Sequence, residues 1–448
     1  MRDPAAYAVL CRMPLGWLAL ASGRALRPLP GAPSWAGARL WHDGRVKVRQ
    51  LVTRPVLIAG AAGGGSAVGA AAGSVAAAAW FARRLLTPDE LQPDDVAIVA
   101  HDDESVTFAA GPDPDVPGRY GVWLDGGAGH ARVGQIIERD EAAATVRREL
   151  LAVDRGTLGV GPARWNQYYY WDRPSVSMGL PDEDVVVTSD VGALPGWIVR
   201  PDESSSGRDW AVLVHGRGAR KEETLRAVPV LRAAGWTCLV AAYRNDRDAP
   251  RGPDGRYNLG LSEWRDVEAA IATAVAEGAE RIVLFGWSMG GAIVLQTLRR
   301  SRHADRIVGM CLDSAVIDWD AVLRHHGRLN HLPGPLVRIA RGLMGSRRGR
   351  ALVGLIEPID LAHTDWVARA DELDVPILLI HSTGDTVVPF APAAALAERR
   401  PDIVRFEPWE LARHCREWSY DSERWESVVS SFLAGLPSSP ALLERAGA

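Results

Sequence analysis

The sequence predicts an α/β protein built on a mostly parallel sheet flanked by helices, with a smaller β-rich region ahead of it. Three observations lead there. Over residues 181–448, short apolar runs alternate with helix-length segments, the pattern of parallel strands covered on both faces. One run, Arg281-Ile-Val-Leu-Phe-Gly-Trp287, passes through a glycine-flanked serine into the apolar segment Ala292–Leu298, so strand, sharp turn and helix follow without a linker. Residues 83–180 carry short β-type runs separated by Pro, Asp and Gly turns.

Residues 1–55 are rich in Arg, Pro and Gly, lack a sustained period, and are expected to form a flexible tail. Pro14–Gly23 resembles a signal-peptide core, but Arg12 interrupts the apolar region upstream. The next 27 residues, Val56–Ala82, contain no charged side chain. A bilayer span takes ~20 apolar residues, and Arg54 and Arg83-Arg84 bracket the run, with Trp80 and Phe81 where an interfacial aromatic belt would lie. The sequence therefore predicts a transmembrane helix over 56–82, an Ala/Gly linker being the alternative. The twenty preceding residues carry five cations (Arg39, Arg45, Lys47, Arg49, Arg54) and the twenty following carry two, which puts the N-terminus in the cytoplasm and the larger domain outside the cell membrane. On that reading, removing residues 1–84 leaves a soluble, active unit.

Within 83–180, strands are expected at Val96–Ala100, Ser105–Phe108 and Tyr120–Leu124, another at Gly134–Asp140, and a short helix at Glu141–Leu151. The aromatic run Trp165–Trp171 is expected to pack against the larger domain. That domain opens with a hairpin at Asp184–Thr188 and Leu194–Arg200. Strands follow at Trp210–Val214, Trp236–Ala242, Arg281–Gly286, Arg306–Leu312, Val375–Ile380 and Ile403–Phe406, with helices at Glu222–Ala234 and Leu261–Ala276.

Composition narrows the function. A net charge of −4 with no basic face argues against a nucleic-acid partner. Cys11, Cys238, Cys311 and Cys415 are scattered, without C-x-x-C or Cys/His ligand spacing, so neither a metal nor a cofactor is called for. Cys238 and Cys311 fall in strand-like runs and read as small core residues.

The chemistry concentrates at Gly286-Trp-Ser288-Met-Gly290, a G-x-S-x-G turn between strand and helix. Downstream, Ser382-Thr-Gly-Asp385 ends a buried strand in a turn, and His414 lies beyond the last strand. A serine hydroxyl needs a base within reach, and a base needs an orienting acid. Ser288, Asp385 and His414 follow in that order, unlike the chymotrypsin and subtilisin orders. On these residues, the chain from about 185 to 435 resembles the α/β-hydrolases, and within them is similar to the prolyl-oligopeptidase-like peptidases and related esterases.

That resemblance implies a serine hydrolase working through an acyl-enzyme on a small-molecule ester, thioester or peptide. Ester cleavage is preferred because the region ahead of the core shows no propeller blade period; the alternatives are a peptidase of the prolyl-oligopeptidase-like branch and a binding module that kept the fold. It implies an oxyanion site from the backbone N–H groups of Met289 and Arg217, in His215-Gly216-Arg217-Gly218. His215 and Tyr243 are candidate pocket residues. Asp313, ending the sixth strand, is the second choice for the acid. Residues of about 315–370 are expected to be a lid insertion, its His325, His326 and His331 exposed. Arg217 and Arg220 are expected at the pocket mouth, facing an anionic substrate group or pairing with Glu222 and Glu223.

Overall fold

The computed structural model describes residues 65–88, 93–166, 168–201 and 205–437. The expected tail and residues 56–64 of the charge-free run lie outside them.

The remainder of that run enters a helix, α1 (Gly65–Leu86). No helix among the described residues is long and apolar enough to cross a membrane. Over its described part, residues 65–82, the reading as a membrane-spanning helix is therefore corrected. The physical reason is in the spacing. Ala78, Phe81, Ala82, Leu85 and Leu86 recur at i, i+3, i+4, i+7 and i+8, one helical face, and that face is buried in the core of the large domain. Trp80, on the other side, is 43% exposed. The expectation for residues 1–84 reverses accordingly. Deleting them removes Phe81 and Ala82 from the core, and the 85–448 fragment should be insoluble or inactive. Phe81→Ala alone should cost about 3–5 kcal/mol, read from the midpoint of chemical denaturation; an unchanged midpoint would show that the helix is not part of the fold.

The β-rich region is a closed antiparallel barrel of six strands: β1 (Val96–His101), β2 (Ser105–Ala109), β3 (Tyr120–Leu124), β4 (Gly129–Asp140), β5 (Thr145–Arg155) and β6 (Gly161–Asn166), in the order β1-β2-β5-β4-β3-β6 with β6 closing on β1. The helix expected at 141–151 is replaced by β5, which pairs with both β2 and β4. Its inward residues follow the two-residue period of a strand: Val146 and Arg148 are both buried. Arg148 is fully enclosed and donates to the carbonyls of Gly134, Pro114, Val116 and Gly118 at 2.7–3.0 Å. An unpaired buried cation is costly; here carbonyl dipoles take the place of water, while burial still lowers its pKa to about 10.

The large domain is an eight-stranded sheet ordered β14-β13-β12-β11-β9-β10-β8-β7. β7 (Glu183–Ser189) and β8 (Gly192–Val199) form the expected hairpin; β9 (Asp209–Val214), β10 (Thr237–Ala241), β11 (Arg281–Trp287), β12 (Ile307–Asp313), β13 (Ile377–Ser382) and β14 (Val404–Trp409) run parallel. One face carries α2 (Val228–Ala233), where Leu231 joins the core of Leu213 and Phe285. The other carries α3 (Trp264–Ala276) and α4 (Met289–Arg300), whose Ile271 and Ile293 pack on Val212 and Leu284 together with α1. The insertion between β12 and β13 contributes α5 (Trp319–Leu329) and α6 (Gly334–Gly345). The barrel is fastened to the loop beyond β14: Arg416 pairs with Asp113 at 2.5 Å and Arg119 N–H donates to Ser419 O at 2.7 Å.

Candidate active site

β11 ends at Trp287 and α4 begins at Met289, leaving Ser288 alone at the turn with φ 52° and ψ −117°. A non-glycine residue in that region is strained, and such strain gathers at functional positions. The flanking glycines make it possible. A Cβ on Gly286 would stand 2.6 Å from Gly290 O, and one on Gly290 would stand 2.1 Å from Val214 O. The turn thus presses the first turn of α4 against neighbouring backbone and lifts the Ser288 hydroxyl above the sheet.

His414, in the loop after β14, stands with Nε2 2.8 Å from Ser288 Oγ and Nδ1 2.7 Å from Asp385 Oδ2. Asp385 follows β13 and accepts the N–H groups of Val387 and Val388 at 2.8 and 2.9 Å. Burial alone would raise its pKa, but the positive charge His414 can carry, with hydrogen bonds from His381 and His414, outweighs that and holds the carboxyl well below its usual range. The structure thus brings the three expected residues into one hydrogen-bonded chain.

His381 was not singled out from sequence. It is fully buried on β13, with Nε2 3.3 Å from Asp385 Oδ2 and 3.2 Å from Val388 O. Its spacing of four before Asp385 was visible, but only the turn after β13 brings the two side chains together.

Asp313, the second choice for the acid, has other partners. Its Oδ2 accepts Trp425 Nε1–H at 2.8 Å. Burial, then the Asp313 charge, push the Glu417 carboxyl well above its ordinary range. Glu417 Oε1 accepts the Ser314 hydroxyl, and Ser314 Oγ accepts Cys415 N–H at 3.1 Å. This buried network sits under the residue after His414 and steadies its loop.

The loop after β9 packs on the serine: a Cβ on Gly216 would stand 3.1 Å from Ser288 Cβ. Gly216 N–H donates to Glu223 at 2.8 Å and Gly218 N–H to the Tyr257 hydroxyl at 3.2 Å, so the residues on either side of Arg217 are held. Gly216 and Arg217 line one small cavity with Ser288 and His414. Met289 N–H opens α4, among the amides that a helix leaves without an intrahelical partner.

The Arg217 side chain does something sequence did not suggest. It donates to the carbonyls of Leu85, Arg84 and Thr87 at 2.7–2.9 Å, closing the C-terminal end of α1, where a cation is favoured by the helix dipole. It thus braces α1 while lining the cavities that hold Ser288, at the pocket mouth, where Arg220 stands 3.7 Å from Glu222. His215 and Tyr243 are corrected. His215 is fully buried, bonded to Asp246 at 2.8 Å and stacked on Tyr243 at 4.3 Å. Tyr243 donates to Gly216 O at 3.0 Å. Both support the loop from beneath and do not line the cavities around Ser288.

Beside Ser288 lies a hollow of about 80 Å³, walled by Leu85 of α1, Val316, Trp319 and Val322 of the insertion, and Val387 and Val388. The insertion covers the site as a lid would, and α1 completes the cover. His326 faces this hollow and is 6% exposed, so its expected exposure is corrected. Its Nε2 donates to Val387 O at 2.9 Å; burial and the neighbouring His325 lower its pKa to about 4, which leaves it neutral.

Serine, imidazole and carboxylate in line, next to backbone N–H groups and an apolar hollow, can carry out acyl transfer. Comparison with known proteins agrees in class. Residues 211–435 match the family model described as "Alpha/beta hydrolase family", and residues 97–166, the barrel, match a "Domain of unknown function (DUF8805)". The chain is 29% identical over 233 residues to a pimeloyl-[acyl-carrier protein] methyl ester esterase of Aromatoleum aromaticum, covering 44% of this chain and 88% of the relative. It is 24% identical to the protein of that name from Neisseria meningitidis, over 52% of this chain and 80% of the relative. Among solved structures, the Pyrococcus furiosus esterase Pf2001 is 21% identical with a TM-score of 0.45, covering 59% of this chain and 94% of its own.

Proposed function

Since the chain belongs to the alpha/beta hydrolase family, we propose that this hydrolase is a serine esterase acting on carboxylic esters or thioesters of short acyl groups. Ser288 Oγ attacks the carbonyl carbon while His414 Nε2 takes its proton. Asp385 holds Nδ1–H and balances the imidazolium. The N–H groups of Met289 and Arg217 receive the oxyanion. Collapse expels the alcohol or thiol, protonated by His414, and leaves an acyl-Ser288 ester. Water, deprotonated by the same imidazole, then releases the acid.

The observation that carries this reading is the chain from Ser288 through His414 to Asp385, at 2.8 and 2.7 Å, on a serine held at φ 52°. Ester over amide is supported by the names of the two relatives. Neither of those two relatives is named as a peptidase, and the region ahead of the core is a six-stranded barrel in place of a propeller.

Labelling the full chain with a fluorophosphonate probe tests the nucleophile; we expect labelling in wild type and none in Ser288→Ala. Persistent labelling of the variant would move the nucleophile elsewhere. Acyl size follows from the hollow, which is about half the ~150 Å³ that encloses a benzene. Across 4-nitrophenyl esters, kcat/KM should therefore peak near about four acyl carbons and fall for longer chains. A rise toward ten carbons would contradict this acyl assignment.

A further inference from the structure

We propose that the cleft between barrel and large domain is a second substrate site, which binds an anionic group, carboxylate or phosphate, on the leaving-group side of the ester. The proposal rests on the esterase reading above and adds to it the chemistry of the half of the substrate that leaves.

The first support is continuity. The small cavity that holds Ser288 and His414 is also walled by Asn166, Tyr168 and Ala219. Those three also line a larger cavity of about 280 Å³. One substrate can therefore lie in both, its acyl group on the side of Leu85 and Val388, its alcohol or thiol portion turned toward the barrel. Tyr168 secures the junction: its hydroxyl accepts Arg220 N–H at 2.6 Å and its carbonyl accepts His130 Nε2–H at 3.0 Å.

The second support is charge. Arg155 and Arg164 enter the larger cavity from the barrel, and Arg220 and Arg247 from the large domain. The carboxylates there are Asp172, Glu222 and Asp246. Asp246 is engaged by His215 and by Tyr243 N–H at 2.8 and 2.9 Å. Asp172 accepts Arg173 N–H at 2.7 Å, and Glu222 stands 3.7 Å from Arg220. Arg164 also feels the charges of Asp94 and Asp95; with Asp246 engaged by His215, the three guanidiniums of Arg155, Arg220 and Arg247 face the two carboxylates of Asp172 and Glu222 in a partly enclosed space. Planar, multidentate guanidinium is the side chain best suited to carboxylate and phosphate.

The third support is the aromatic frame. The guanidiniums of Arg164 and Arg220 lie 5.8 and 5.6 Å from the Trp123 ring, and that of Arg155 lies 5.7 Å from Trp171. Cation–π contacts orient arginines without neutralising them, so Arg155 and Arg220 can present their charge to a ligand. Trp123 is 6% exposed, and its indole N–H has no partner among the described residues. A buried, unanswered donor in the wall of a cationic cavity suits an acceptor-rich anion.

The test compares matched butyrate esters in wild type. 3-Butanoyloxy-4-nitrobenzoate is set against 2-nitrophenyl butyrate, and 4-(butanoyloxy)phenyl phosphate against 4-methoxyphenyl butyrate. One charge-assisted contact is worth ~1.5–3 kcal/mol, so at least one anionic ester should exceed its neutral partner in kcat/KM by about tenfold or more. The preference should shrink as ionic strength rises. Which pair shows it separates a carboxylate from a phosphate substrate. The ratio should fall at least about tenfold in the Arg155→Gln, Arg220→Gln double variant. Equal turnover of charged and neutral esters by wild type, or an unchanged ratio in a folded double variant, would overturn the proposal. If no ester is turned over and Ser288 takes no fluorophosphonate, the esterase reading fails instead. Titration calorimetry of the Ser288→Ala protein with 4-hydroxyphenyl phosphate and with 3-hydroxy-4-nitrobenzoate then decides the site separately. Saturable binding of either, weakened by the arginine changes, supports it, and no heat with both refutes it.

Discussion

Ser288→Ala is expected to lower kcat by about a millionfold, His414→Ala by nearly as much, and the double variant scarcely further, because nucleophile and base act as one unit. Neither change should disturb the fold. Ser288 Oγ is bonded to His414 Nε2 at 2.8 Å, and alanine occupies the same turn with a smaller side chain. The strain of φ 52° resides in the backbone and is present in either case. The residual rate should still exceed that in water, since the oxyanion donors and the apolar hollow survive. The measurement is kcat for 4-nitrophenyl butyrate, with circular dichroism as the control on folding. A Ser288→Ala protein within about tenfold of wild type, against the millionfold expected, would mean that water, and not the serine, attacks the ester.

How much of this was legible in the chain depends on the range of each interaction. The elbow is local: Gly286, Ser288 and Gly290 sit within one turn, so their spacing already carried the steric argument that the Cβ distances bear out. Parallel strands buried on both faces were equally readable from apolar runs. The barrel was read only as short strands, because closure of β6 on β1 is a pairing of residues about 65 apart in sequence that no local pattern specifies. Arg148 shows the difficulty. A charged residue in the middle of Val146-Arg-Arg-Glu-Leu150 argues for a helix face, yet it is fully buried against carbonyls supplied by β4 and the turn before β3. Helix α1 is the instructive miss. A charge-free Ala/Gly run suits a bilayer by length, but the period of Ala78, Phe81, Ala82, Leu85 and Leu86 marks one buried stripe. The partner of its last turn, Arg217, lies about 130 residues downstream and was not recoverable from local reading.

Asp385→Asn is expected to lower kcat by about ten thousandfold, while Asp313→Asn should stay within about tenfold of wild type. The difference follows from hydrogen-bond direction. Asp385 Oδ2 accepts from His414 Nδ1 at 2.7 Å, which keeps Nε2 unprotonated and able to take the Ser288 proton. An asparagine that turns its amide N–H₂ toward Nδ1 selects the other tautomer, with the proton on Nε2, and loses the charge that balances the imidazolium. Its oxygen can instead keep the two N–H bonds from Val387 and Val388, so the turn should hold. The Asp313 side chain bonds to neither His414 nor Ser288; its backbone carbonyl accepts Ser288 N–H at 3.1 Å, which asparagine retains, and an asparagine carbonyl can still accept from the Trp425 indole. Stability supplies a second readout with a definite sign. The Asp385 carboxyl is held well below its usual range, so it binds fewer protons folded than unfolded. Its contribution is present above the unfolded-state pKa and is lost as pH falls through the folded one. The Asn variant should therefore be less stable than wild type at neutral pH, and the two should converge on acidification. Convergence without loss of kcat would make Asp385 a structural residue. Loss of kcat in Asp313→Asn, with Asp385→Asn active, would transfer the role of the acid to the end of β12.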